Sequence, residues 1–169
     1  GINIKNKFLN TTFDTIQLNK ILQKLKERKI ENTILEASSH GLNQNRLDGL
    51  KFDIGIFTNL SRDHLDYHKS YKNYLNSKLI LFKKLLKKKS YAIFDEGLKI
   101  SPKLSRITKL NNIEKFTIGN TKSSFEILDH QFLKNEQKIL FRFNKKKYSF
   151  STKLIGRVQI KNLLMAIMA

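Results

Sequence analysis

Asp63, His64, Asp66 and His68 lie close together in the run Asn59-Leu60-Ser61-Arg62-Asp63-His64-Leu65-Asp66-Tyr67-His68. Two imidazoles and two carboxylates at this density can supply nitrogen and oxygen ligands to a divalent ion. Ser61 or Asp63 can equally cap a helix, and His64 can be a hydrogen-bonded loop histidine. Glu36 follows Ile34-Leu35 at the expected end of a buried strand. A carboxylate there needs a cation or hydrogen bonds to offset its desolvation. It can cap the following loop through the amides of Ala37 to Ser39, or bind Mg²⁺, a hard cation that takes carboxylate oxygen.

Lys78 is the third candidate. Tyr71, Tyr74, Leu75, Leu79, Phe82, Leu85 and Leu86 form one apolar stripe at helical spacing, and Lys78 falls inside it, four after Tyr74 and four before Phe82. A lysine on such a stripe either extends its ammonium to solvent or has a depressed pKa. In the second case the neutral amine can add CO₂ and become a carbamate, which turns a cation into an anion able to ligate metal.

The elements that must position these groups alternate. Thr15 to Lys29 has the spacing of a helix, with Ile16, Leu18, Ile21, Leu22 and Leu25 as its apolar residues and Asp14 as its cap. Thr33 to Glu36 reads as a strand running into the loop Ala37-Ser38-Ser39-His40-Gly41. Phe52 to Phe57 is a second strand, Ser70 to Lys88 a long helix, and Tyr91 to Phe94 a third strand closed by Asp95-Glu96-Gly97. Residues 1–115 therefore predict an α/β part with a mostly parallel sheet flanked by helices. Within 116–155, Ser124 to Leu133, Gln137 to Phe143 and Tyr148 to Leu154 predict a small antiparallel portion near the C-terminus, with Lys145-Lys146-Lys147 as a hairpin turn. Gly156 opens a last helix over 156–169. The candidate groups follow the strands at Glu36 and Phe57, and in open α/β sheets ligands gather at the carboxyl ends of strands.

Composition removes several function classes. The 169 residues include no cysteine, so disulfides and thiolate metal sites are excluded. No run approaches the ~20 apolar residues of a membrane span, and the N-terminus does not read as a signal peptide, so a cytoplasmic protein is expected. The net charge of +19 invites a nucleic-acid reading, but only six of the 33 basic residues are arginine, and the lysine runs do not interleave with stacking aromatics. Solvated lysine faces are the simpler reading. None of the seven glycines precedes Lys and then Ser or Thr, so no phosphate-cradling loop is present, nor a Gly-x-Gly-x-x-Gly run.

Taken together and in order, the clusters resemble the Mur ligases, and most closely the branch that forms UDP-N-acetylmuramyl-tripeptide. The resemblance rests on Asn10-Thr11-Thr12, on Glu36-Ala37-Ser38-Ser39-His40-Gly41-Leu42-Asn43-Gln44-Asn45-Arg46, and on Phe57 to His68. Tyr74-Leu75-Asn76-Ser77-Lys78 and Gly156 to Leu164 extend it. It implies that Glu36 and His64 bind Mg²⁺ and that Lys78 is a carbamylated lysine helping to hold a second ion, with His64 and Lys78 serving catalysis. It also implies that Asn10, Thr11, Thr12, Ser38, Gln44 and Arg46 hold UDP-MurNAc-L-Ala-D-Glu. The implied reaction is ATP-dependent amide formation with a diamino acid, diaminopimelate or lysine, through an acyl phosphate.

The chain departs from the pattern where the ATP-binding loop is expected, a few dozen residues before Asn10, and Ala37 stands where valine is usual. The expectation is therefore a middle piece of a longer, monomeric enzyme, without the uridine-nucleotide and C-terminal domains and inactive on ATP by itself. Two alternatives remain at this point. One is another ATP-dependent ligase of the same superfamily, of the folylpolyglutamate or cyanophycin synthetase type; the other is a basic nucleic-acid-binding module.

Overall fold

The computed structural model describes residues 11–61 and 63–169. They divide into two compact units, Gly1–Leu50 with Arg62–Leu85, and Lys51–Ser61 with Leu86–Ala169. The first is helical and the second holds the sheet.

In the helical unit, α1 spans Thr15–Glu27, and the Asp14 carboxylate accepts the Gln17 N–H at 3.0 Å as its cap. Leu18 is buried while Ile21, Leu22 and Leu25 are half-buried. Ile16 is 70 % exposed, because two residues before Leu18 it lies about 200° around the helix and on the opposite side. The strand expected over Thr33 to Glu36 does not form. A strand exists through its ladder partner, no described segment pairs with these residues, and Ile34 is 97 % exposed. Glu36 is accordingly exposed rather than sunk at the end of a buried strand.

Three further helices complete this unit: α2 (Ser39–Asn43), α3 (Leu65–His68) and α4 (Tyr71–Ile80). Ser70 caps α4 by accepting the Asn73 N–H at 3.1 Å. The helix widens into a π-type turn at Leu81–Leu85 and ends there, earlier than Lys88. That turn buries both Phe82 and Leu85, so the apolar stripe of Tyr74, Leu75, Leu79, Phe82 and Leu85 is continuous. Tyr71 lies off it, 45 % exposed.

The second unit is a six-stranded sheet in the order β1-β2-β3-β4-β5-β6. β1 (Phe52–Phe57), β2 (Leu86–Asp95) and β3 (Glu114–Gly119) run parallel. The Lys87-Lys88-Lys89 run thus opens a strand instead of closing a helix. It forms an irregularity there, with Lys89 at φ 59° and its N–H bonded to the Asn112 carbonyl at 2.7 Å. β3 crosses position 116 and remains parallel; β4 (Phe125–Phe132) joins it briefly in parallel, then pairs antiparallel with β5 (Gln137–Phe143), which pairs with β6 (Lys146–Thr152). The β5–β6 hairpin turns on Asn144 and Lys145, both at positive φ, the conformation two-residue hairpin loops require.

Two helices lie against this sheet. α5 (Ser101–Leu110) has no counterpart among the elements read from the sequence; Pro102 sits in its first turn, and Leu104 and Ile107 are its buried apolar residues. α6 (Arg157–Met168) follows Gly156 at φ 102°. Its Ile160, Leu164 and Met165 join Ile93, Ile118, Phe125, Ile139 and Phe141 in one core. The Lys161 ammonium pairs with the buried Asp95 carboxylate, which also accepts the Gly97 N–H at 2.9 Å, tying α6 to the carboxyl end of β2.

Candidate functional site

Every candidate site residue that the structure describes belongs to the helical unit; Asn10 lies outside the described residues. Thr12 organises the loop before α2. Its hydroxyl donates to the Glu36 carbonyl at 2.9 Å, and its oxygen accepts the Ser38 N–H at 3.0 Å. With its proton committed to Glu36, Thr12 accepts the Ser38 hydroxyl proton at 2.9 Å. Ser38 Oγ in turn accepts the Gly41 N–H at 3.1 Å and caps α2. A Cβ at Gly41 would lie 2.7 Å from Thr12 Cβ, so only glycine admits this approach. Thr11, Thr12 and Glu36 border a cavity of about 220 Å³ with Leu35 and Leu47.

Ser38, not Glu36, caps α2. The residue at the cap position of α3 is His64, whose own side chain makes no cap hydrogen bond. His64 has φ 60°, a left-handed backbone costly for a residue with a Cβ and concentrated at functional sites.

Lys78 is half-buried on the stripe of α4. Its Nζ lies 5.4 Å from the centroid of the Tyr74 ring, and the His64 ring lies 6.0 Å from that same centroid. Tyr74 thus has both Lys78 and His64 as neighbours. Burial holds the Lys78 amine below the ordinary lysine pKa, against the opposing charges of Asp63 and Glu36. Of the groups implied as metal ligands, Glu36 acts on Lys78 through its charge, together with Asp63, and His64 shares the Tyr74 ring with it.

Beside this lies a polar network. Tyr67 Oη accepts Nδ2 of Asn43 at 3.1 Å and Nε2 of Gln44 at 3.0 Å. Arg46 donates to Gln44 Oε1 at 2.5 Å and to the Thr12 carbonyl at 2.7 Å. His68 is buried between Ser39 Oγ, 3.0 Å from its Nε2, and Ser77 Oγ, 3.5 Å from its Nδ1. The His40 ring packs on His64, Tyr67 and His68 at 4.9, 4.1 and 5.4 Å between centroids. Burial, followed by the neighbouring His40 and His64, holds His68 below the ordinary histidine pKa.

The family model described as the Mur ligase middle domain matches residues 1–169. The chain belongs to the Mur ligase middle-domain family. It is 40 % identical over 159 residues to a Rickettsia conorii protein named UDP-N-acetylmuramoyl-L-alanyl-D-glutamate--2,6-diaminopimelate ligase, covering 94 % of this chain and 33 % of the relative. A solved structure of a ligase with the same name superposes with a TM-score of 0.83 at 28 % identity, covering 94 % of this chain and 33 % of that one. A MurF ligase from Thermotoga maritima in complex with ADP shares the fold, with a TM-score of 0.62 at 11 % identity over 78 % of this chain and 30 % of that one. The chain thus spans about a third of the length of the curated relatives it matches. The mostly parallel sheet with its antiparallel β4–β6 portion is this family's fold.

Within this Mur ligase middle domain, no three His, Asp or Glu side chains among the described residues converge as a ready metal cage. The donor chemistry still fits a hard cation. The Lys78 amine feels both Glu36 and Asp63, and its conversion to a carbamate would add the oxygen ligands that the carboxylates alone lack. Tyr67, Tyr74 and His40 were missed as contributors. The signal for Tyr74 was available, since it sits four residues before Lys78 on the same stripe. The signal for Tyr67 was not, because its partners are 23 and 24 residues away.

Proposed function

We propose that this middle domain serves an ATP-dependent ligase that adds a diamino acid, diaminopimelate before lysine, to UDP-MurNAc-L-Ala-D-Glu in peptidoglycan synthesis. The observation that carries the reading is the half-buried Lys78 against Tyr74, a ring it shares with His64, under the charges of Glu36 and Asp63. The names of the relatives support the substrate. In this reading a carboxylate oxygen of the substrate attacks the γ-phosphorus of ATP and ADP departs. The amine of the incoming amino acid then attacks the acyl carbon, phosphate departs, and the amine sheds a proton.

Glu36, His64 and carbamylated Lys78 would hold Mg²⁺, which supplies charge neutralisation between the two anionic reactants. Lys78 reaches its carbamate state when the neutral amine attacks CO₂ and releases one proton, and its burial favours the neutral amine that this step needs. Thr12 and Ser38 shape the loop around the substrate, with Thr11 and Asn10 beside them in sequence. Arg46, with a planar guanidinium, would pair with a substrate carboxylate or phosphate, and Gln44 holds it in place. No helix among the described residues is long and apolar enough to cross a membrane, which suits a cytoplasmic nucleotide-linked substrate.

The test is phosphate release by the natural gene product in the presence of ATP and Mg²⁺. Release that requires both UDP-MurNAc-L-Ala-D-Glu and diaminopimelate is expected. Release driven instead by a folate and glutamate would replace this reading with another ligase of the superfamily.

A further inference from the structure

Tyr67 carries no assigned role, yet it is where two side-chain amides converge. Its phenolic oxygen receives Nδ2 of Asn43 at 3.1 Å and Nε2 of Gln44 at 3.0 Å. A primary amide is nearly symmetric in shape but has a donating and an accepting end. The donor-only guanidinium of Arg46 takes the accepting end of Gln44, and Tyr67 anchors the donating end. With Nε2 held by Tyr67, Oε1 points to Arg46 and accepts its Nη2–H at 2.5 Å. Arg46 Nη1 is fixed in turn on the Thr12 carbonyl at 2.7 Å. The line Tyr67, Gln44, Arg46 and the Thr12 carbonyl joins α3, the end of α2 and the loop before α1.

We propose that Tyr67 is a positioning residue: by anchoring the Gln44 amide it holds the Arg46 guanidinium in one pose, ready for an anionic ligand. The inference rests on the reading above in which Gln44 and Arg46 face the substrate. Without the phenolic oxygen, Gln44 keeps Oε1 toward the donor-only guanidinium but loses the anchor on its Nε2, so the amide and the Arg46 it holds are free to move together. Two bonds use two of the five guanidinium N–H groups, so a pre-set Arg46 keeps donors for a carboxylate or phosphate. The same two amide donors stabilise the phenolate, which places the Tyr67 hydroxyl below the ordinary tyrosine pKa. That gives the arrangement a spectroscopic mark.

The test is calorimetric titration of UDP-MurNAc-L-Ala-D-Glu into the natural gene product, its Tyr67→Phe, Gln44→Ala and Arg46→Ala variants, and the Tyr67→Phe/Gln44→Ala double variant. Tyr67→Phe and Gln44→Ala should each weaken binding about tenfold, and the double variant by little more than either alone. In a parallel pH titration of phenolate absorbance, one tyrosine step below the ordinary range should vanish in Tyr67→Phe and move upward in Gln44→Ala. Near-normal binding by Tyr67→Phe while Gln44→Ala and Arg46→Ala bind weakly would overturn this inference alone, as would simple multiplication of the two effects. Normal binding by Gln44→Ala and Arg46→Ala would overturn the substrate reading, and the inference with it.

Discussion

At the scale of single residues, the sequence exposed Lys78 more clearly than any motif did. A lysine inside an apolar helical stripe is an electrostatic misfit, and the structure keeps it half-buried beside Tyr74 with a lowered pKa. His68 is the opposite case. It was one histidine of a run, and nothing local shows that it is the buried one, because its partners Ser39 and Ser77 are 29 and nine residues away. Its lowered pKa means the unfolded chain takes up a proton before the folded chain does. Its contribution to stability is therefore complete above the ordinary histidine value and is lost as pH falls through the lower folded value. Urea unfolding should show the wild type weakening between about pH 7.5 and about pH 5, and His68→Gln weakening less over the same interval. Equal losses in both proteins would show that His68 is not the group responsible.

At the scale of elements, legibility followed dependence on partners. α1, α4 and β1 were readable because their caps and apolar spacings are local: Asp14, Ser70 and the Phe52–Phe57 run lie within the elements they define. The strand expected over Thr33 to Glu36 failed because strand formation depends on a neighbour that the local pattern cannot supply. The end of α4 was misplaced for a similar reason, since pairing with β1 and β3 claims Leu86 onward for β2. The short helix α2 depends on Gly41, whose approach to Thr12 brings the Glu36 loop and the helix start together. Gly41→Ala would force a methyl against the branched Thr12 side chain, and about 1–3 kcal/mol of destabilisation is expected, measurable as a lowered denaturation midpoint. Thr12→Ser in the same background should recover part of that loss by removing one of the crowded atoms, Thr12 Cγ2, which lies 2.8 Å from the added Cβ.

At the scale of the whole molecule, the charge of +19 is the most conspicuous property and the least informative about the site. The structure assigns the lysine runs to ordinary positions: Lys83 and Lys84 to the π-type turn, Lys87 to Lys89 to the opening of β2, and Lys145 to the hairpin turn. Such a distribution produces unspecific attraction to polyanions. Binding to a random-sequence DNA duplex should be weak, should be lost by about 0.2 M salt, and should be nearly unchanged when Lys145, Lys146 and Lys147 are replaced by glutamine. Tight binding that survives such salt and depends on that run would restore the nucleic-acid reading. The division into a helical unit and a sheet unit was not legible, because the chain crosses between them at Leu50, Ser61 and Leu85 without any change in composition.

The proposed conversion of Lys78 from a cation into a metal-ligating anion is open to carbon-13 NMR of the protein equilibrated with labelled bicarbonate and Mg²⁺. A carbamate resonance is expected that is absent from Lys78→Met and that grows with pH at fixed dissolved CO₂, as more of the amine becomes neutral. Activity lost in Lys78→Ala should return in part with short added carboxylates. No carbamate resonance in the wild type, or one that persists in Lys78→Met, would contradict it.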